Sequence, residues 1–492
     1  MVARSDSNRN AHFPFVSFTM AILFLIPIAS PTLAQGTSQG GGTVPVLVKS
    51  KVALTPEIVA MISAHASRVT YVWPAIDAMA LTVTPSNMAA LIADPVVALV
   101  EPDSRGQAIA DDEDLPGDLT SPPATVVPIF ANGAPVQSWN IDMVDTTGTG
   151  YDGSGVTVAV LDSGLPQNWA EFLPPGSVDT TYAAGFGSEG FGDFHNPVNA
   201  IRGVGGHIGL FPHGLAVSSV IVGFPSDYGP VLGAAPGATI VPIRVLNQFN
   251  FGWSSWFAAA FLYVAELVND GAFDGPVVIS YSIQSRSDSL IVRDAIDYAL
   301  ASGIKFVTIA GNFGTDGVSF PGRLPQSITT GSVGWTGTFS SPLWFLADVP
   351  DNPADLVPQI FVSSFSGREL FVPPATQIDV MAPGDWVFGE WLFGNGVSVS
   401  GSGFSEGRSM GFDGMSNFIF GTSFACPHVT GIVAQMLQKN PGLSQTQVET
   451  ILRDTALPIP SPGAGGPFWS PWASNATGEG LAQGAAALAA TP

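Results

Sequence analysis

Val156-Thr157-Val158-Ala159-Val160-Leu161-Asp162-Ser163-Gly164 is a β-rich apolar run that closes on a carboxylate and a tight turn. It is the first of five such runs, the others covering 239–245, 277–282, 305–310 and 327–333, with helical stretches between them. Short apolar strands alternating with helices predict an α/β fold, a mostly parallel sheet with helices on both faces. The carboxyl ends of such strands are where open α/β sheets place their chemistry, and several of these runs end in polar residues or Gly.

Outward from that core, the chain has a different character. Residues 44–103 read as a small α+β unit, with strands over 44–48, 78–83 and 96–100 and helices over 55–66 and 86–93. Asp111-Asp112-Glu113-Asp114 and a Pro- and Gly-rich stretch to Pro135 follow, the composition of a protease-accessible linker. The first 34 residues carry Arg4 and Arg9, an apolar run over 16–28 and the small-x-small ending Thr32-Leu33-Ala34, which reads as an export signal. The expected organisation is therefore a signal peptide at 1–34, an amino-terminal domain at 35–103, a linker at 104–135 and the main domain at 136–492.

Sixteen Lys and Arg stand against 39 Asp and Glu, a formal charge of −23, so the summed field repels phosphate backbones and anionic membranes. No nucleic acid and, once the leader is removed, no membrane is expected as a partner. Cys426 is the single cysteine, which excludes an intramolecular disulfide and a Cys-based zinc site. An exported chain without disulfides fits a bacterial source.

Three short segments carry chemistry. Gly421-Thr422-Ser423-Phe424-Ala425-Cys426-Pro427-His428-Val429 opens a helical run, which places a hydroxyl where free backbone N–H groups favour developing negative charge. Asp162 ends its buried strand, as an orienting carboxylate must. Pro212-His213-Gly214 opens the apolar stretch 215–222, and an imidazole at a helix start beside a carboxylate is placed as a general base. Taken singly, each has a plain structural reading: a helix cap, a turn aspartate, a core histidine.

Asp, His and Ser in that chain order, in Asp-Ser-Gly, His-Gly and Gly-Thr-Ser-x-Ala-x-Pro-His contexts, resemble the subtilisin-like serine peptidases. The resemblance runs over about 136–490 and includes Gly233 to Ala238, Phe320-Pro321-Gly322, Asp379 to Gly384 and Gly478 to Leu481. It implies a serine endopeptidase with Ser423 as nucleophile, His213 as general base, Asp162 orienting His213, and Asn312 of Ala310-Gly311-Asn312 as oxyanion donor. It further implies substrate contacts at Ser282, Ile283 and Gln284 on one side of a cleft and Phe251 and Gly252 on the other. Segments 76–83 and 97–103 are similar to the family's inhibitory propeptide, so the chain's own propeptide is an expected partner beside protein or peptide substrates.

The chain departs from the pattern at Leu215 and Ala216, where the family has Thr and His, and at Gln284 and Phe251, where it has small residues. His207 is a rival to His213, without the following Gly and buried helix. His428 and Cys426 read as packing residues. The chemistry requires no cofactor. The family often binds structural calcium, and Asp316, Asp348 and Asp351 are the loop carboxylates available for it, without the spacing of a dedicated site. The competing functional reading is an inactive relative that binds peptides or serves as a structural module. A third, a serine-carboxyl peptidase, shares the Gly-Thr-Ser signature but has no use for the His-Gly helix.

Overall fold

The computed structural model describes residues 42–108, 134–187, 213–226, 229–247, 250–339, 344–370, 377–390, 408–409, 416–463 and 471–492. The expected leader at 1–34, the acidic run at 111–114 and the rival histidine at 207 lie outside the described residues.

The amino-terminal α+β layer contains β1 (Val44–Ser50), α1 (Pro56–Ser63), β2 (Ala66–Trp73), β3 (Ala78–Val83), α2 (Pro85–Ala93) and β4 (Val97–Pro102), followed by the short β5 (Arg105–Gln107). The four-stranded sheet has the order β2-β3-β1-β4. Both helices open with Thr then Pro, and Thr55 and Thr84 each accept the N–H of the third helical residue. The first helix ends at Ser63, short of the expected Ala66, and the residues after it form an unforeseen edge strand. Its apolar Val69 and Val72 are exposed, so it lacks the in-out alternation that announces a half-buried strand.

The main sheet uses β6 (Thr157–Asp162), β7 (Ala184–Gly185), β8 (Thr239–Arg244), β10 (Val277–Tyr281), β11 (Lys305–Ile309), β12 (Ile328–Trp335), β13 (Ile360–Val362) and β14 (Val380–Pro383). The order is β13-β12-β11-β10-β6-β8-β7, with β14 also on β12, and every pairing except β12 with β13 is parallel. All five expected strands are present within two residues of their bounds. The expected layering holds as well. On β6, Val158 and Val160 enter the core that also takes α3 (His213–Val222) and α6 (Thr422–Lys439). Ala159 and Leu161 face the opposite core, with α4 (Ser254–Asn269) and α5 (Leu290–Ala301). Strand β6 sits between β8 and β10, so the chain steps to one side of it and later to the other; its carboxyl end is the switch point of the sheet.

The amino-terminal layer is tied to α4 and α5 by two carboxylates. Glu101 accepts from Ser289 Oγ at 2.5 Å and from the N–H groups of Leu290 and Ile291 at the start of α5. Asp103 accepts from Ser255 N and Oγ at 2.9 and 2.7 Å at the start of α4. Each satisfies N–H groups that a helix leaves free and places negative charge at the positive end of a helix dipole. Burial pushes the Asp103 carboxyl up to about 6, against the pull of its Ser255 bonds. Glu101→Ala is expected to destabilise the full-length chain by about 1–2 kcal/mol, and Glu101→Gln, which keeps an acceptor oxygen, by less. Denaturant midpoints at unchanged m-value measure it; no loss in either variant would mean that the cap contributes nothing.

Candidate active site

Asp162 ends β6 with no exposed surface. A carboxylate there needs partners in place of water, and it accepts Ser163 N–H at 2.6 Å and His213 Nδ1–H at 2.9 Å from each oxygen. With Nδ1 donating, Nε2 is the ring nitrogen left to accept a proton. The Ser163 hydroxyl accepts the Gly214 N–H at 2.9 Å, which docks the start of α3 onto the turn after β6. A Cβ at Gly214 would stand 2.6 Å from the Gly164 carbonyl oxygen, so only glycine lets the helix approach this closely. That contact is the physical content of the His-Gly pair.

Ser423 lies in the first turn of α6, 1% exposed, with its ring neighbour Phe424 centred 5.3 Å from the His213 ring. Pro427 is inside that helix. It has no N–H, so the Ser423 carbonyl four residues earlier has no helical partner, and the Ser282 hydroxyl donates to it at 2.8 Å. The proline thus lets the end of β10 hold the Ser423 backbone. The Ser423 hydroxyl lies 3.3 Å from the carbonyl oxygens of both Ala108 and Ser282 and can donate its one proton to either.

Asn312 follows β11. Its Oδ1 accepts both the N–H and the hydroxyl of Thr422, at 2.9 and 2.7 Å. Those donors fix the amide orientation, and Nδ2 is turned toward the Gly421-Ser423 corner, 3.6 Å from where a Cβ of Gly421 would be. The structure therefore brings together Asp162, His213, Ser423 and Asn312, drawn from four separate elements.

The substrate-side residues expected from sequence border an occupied cleft. Strand β5 pairs antiparallel with β9 (Phe251–Trp253) and, on its other edge, with Gln284. Gln107 and Gln284 exchange both backbone bonds at 2.8 Å, Ala108 N–H donates to Asn250 O at 3.0 Å, and the Arg105 guanidinium lies 4.2 Å over the Phe251 ring. Ile283 is buried and Gly252 backs onto the Val245 carbonyl oxygen. Sequence reasoning missed Asn250, which takes a left-handed φ of 56°; an Asn in a Gly-poor loop was the available signal.

His428 and Cys426 are both fully buried packing residues. His428 donates Nδ1–H to Phe424 O at 2.7 Å and accepts at Nε2 from Asn140, and burial holds its ring down to about 3, hence neutral. Burial pushes the Cys426 thiol up. Asp316 is paired with Arg286 at 3.4 Å, and among the described residues no group of three or more His, Cys, Asp or Glu converges as a metal site. No described helix is long and apolar enough to cross a membrane.

The Subtilase family profile matches residues 153–484. Subtilisin DY of Bacillus licheniformis is 25% identical over 62% of this chain and 85% of its own length; alkaline elastase YaB of a Bacillus species is 26% identical over 65% of this chain and 64% of its own. The solved structure of fervidolysin from Fervidobacterium pennivorans, a keratinolytic enzyme related to subtilisin, superposes with a TM-score of 0.64 at 21% identity, over 93% of this chain and 62% of that one. At that identity it speaks for the fold.

Gly214→Ala should abolish hydrolysis by at least about 100-fold while leaving the protein folded, because a displacement of His213 near 1 Å is enough. Circular dichroism with a kcat measurement checks it; wild-type turnover would show that the Gly164 contact does not set the position of His213. By its profile match, its relatives and its fold, the chain belongs to the subtilase family of serine-type endopeptidases.

Proposed function

We propose that this protein is a secreted serine endopeptidase made as a self-inhibited precursor, with Ser423 as nucleophile, His213 as general base, Asp162 orienting His213 and Asn312 as oxyanion donor. The observation that carries the reading is the chain's own β5, held between β9 and Gln284 as an extra antiparallel strand whose end brings the Ala108 carbonyl to the Ser423 hydroxyl. Main-chain pairing on both edges is how an extended peptide is held for cleavage whatever its side chains.

In this mechanism Ser423 Oγ bonds to the scissile carbonyl carbon while its proton passes to His213 Nε2, and Asp162 stabilises the imidazolium that forms. Charge collects on the carbonyl oxygen, where Asn312 Nδ2–H and the Ser423 N–H in the first turn of α6 receive it. Collapse expels the amine, which takes the proton from His213, and water then hydrolyses the acyl-enzyme by the same route. His213→Ala removes nearly all activity, and His207→Ala leaves it; the reverse pattern in folded proteins would make His207 the base.

Residues 1–34 serve as the leader, 35–103 as the inhibitory propeptide, 104–135 as the segment that contains the processing site and 136–492 as the peptidase domain. Subtilases use no cofactor for the chemistry; structural calcium would act on stability alone. Protein and peptide substrates follow from the open-ended strand pairing. Self-processing is expected at a bond between Ala108 and Ala110. Wild-type chains should therefore mature to a new amino terminus at Ile109 or Ala110, and Ser423→Ala should accumulate as intact precursor. Amino-terminal sequencing decides it: maturation of the purified Ser423→Ala chain would rule out self-cleavage.

A further inference from the structure

Gln284 touches both the substrate strand and the oxyanion residue, in two different ways. Its backbone exchanges hydrogen bonds with Gln107, and its side-chain Oε1 accepts the Asn312 N–H at 2.6 Å. The whole residue is buried. It reaches Asn312 through the space left by Gly311, which has a φ of +87°: a Cβ there would stand 3.1 Å from Gln284 Oε1 and 2.5 Å from Ser319 Oγ.

The orientation of this amide is informative. Only an oxygen can accept the Asn312 N–H, so Nε2 is fixed on the other side, where it has no hydrogen-bond partner among the described residues. An orphaned buried donor is costly, and Met or Leu would fill similar volume without one. The polar side chain is therefore explained by the bond that it makes, and packing alone does not explain it. Asn312 is gripped at two points, its side-chain oxygen by Thr422 and its main chain by Gln284, and the freedom left to Nδ2 is small.

We propose that Gln284 is a positioning residue for the oxyanion site, one that joins the backbone receiving the substrate strand to the amide that receives the developing charge. This inference rests on the peptidase reading above. Gln284 does not touch the reacting atoms. Without Oε1 the buried Asn312 N–H loses its acceptor, the turn after β11 relaxes, and Nδ2 moves off the oxyanion. Pairing with substrate depends on the Gln284 main chain, which any residue supplies. The expected loss therefore falls on turnover and not on binding.

The test uses the mature enzyme on a peptide substrate, with kcat expressed per fluorophosphonate-titrated site so that misfolded protein is not counted. Gln284→Met should lower kcat by roughly 10- to 100-fold, the scale of an ångström's misplacement, with KM within about twofold. Asn312→Ala should lower kcat on the order of 10²–10³-fold, the loss measured for subtilisin's oxyanion asparagine. The double variant should be no slower than Asn312→Ala alone, because there is no longer an amide to position. An unchanged kcat in Gln284→Met, a loss confined to KM, or two losses that multiply would overturn the inference. An unchanged kcat in Asn312→Ala would instead sink the oxyanion assignment on which it rests. If Gln284→Met gives no titratable sites, Gln284→Ala takes its place under the same criteria, and absence of sites in both means that the role is structural.

Discussion

A carboxylate with no access to water stands at the end of the central strand, and much of the site follows from satisfying it. Asp162 lies where the sheet changes direction, with β8 on one side and β10 on the other. Its oxygens are taken by Ser163 and His213. The His213 ring can reach it only because Gly214 allows α3 to press against the Gly164 carbonyl. Buried in this way, the pair fixes which imidazole nitrogen carries the proton and which way the other points.

Ser423 is held by an equally local device. A proline four residues after Ser423 frees its carbonyl for Ser282, and Asn312 caps the N–H of Thr422. The start of α6 is thereby fixed to the ends of β10 and β11 without any covalent link, consistent with a chain that has one cysteine. The amino-terminal layer uses the same chemistry, with Glu101 and Asp103 on the N-termini of α5 and α4. Helix starts thus both hold Ser423 in place and anchor the amino-terminal layer that carries β5.

Much of this was legible in the sequence, because the five central strands are buried on both faces and read as continuous apolar runs. Asp162, His213 and Ser423 were legible because each sits where an element begins or ends, within two residues of a Gly that a close approach, at Gly214, or a positive φ, at Gly164 and Gly421, requires. What escaped was long-range or one-sided. The edge strand β2 exposes Val69 and Val72 and so gives no period-two signal. The insertion of β5 between β9 and Gln284 joins residues 107 and 284, a separation that no local pattern encodes. Gln284 stood out as an implied substrate contact and as a departure from a small residue; its bond to Asn312 depends on the empty space beside Gly311.

The central claim is that Ser423 is a nucleophile activated by the buried Asp162–His213 pair. Mass spectrometry of the mature protein after treatment with a fluorophosphonate tests it most directly. The account predicts a single covalent adduct on the peptide containing Ser423, formed at a rate that falls by orders of magnitude in Asp162→Asn. An adduct on another residue, or labelling of Ser423 that is equally fast in Asp162→Asn, would contradict it.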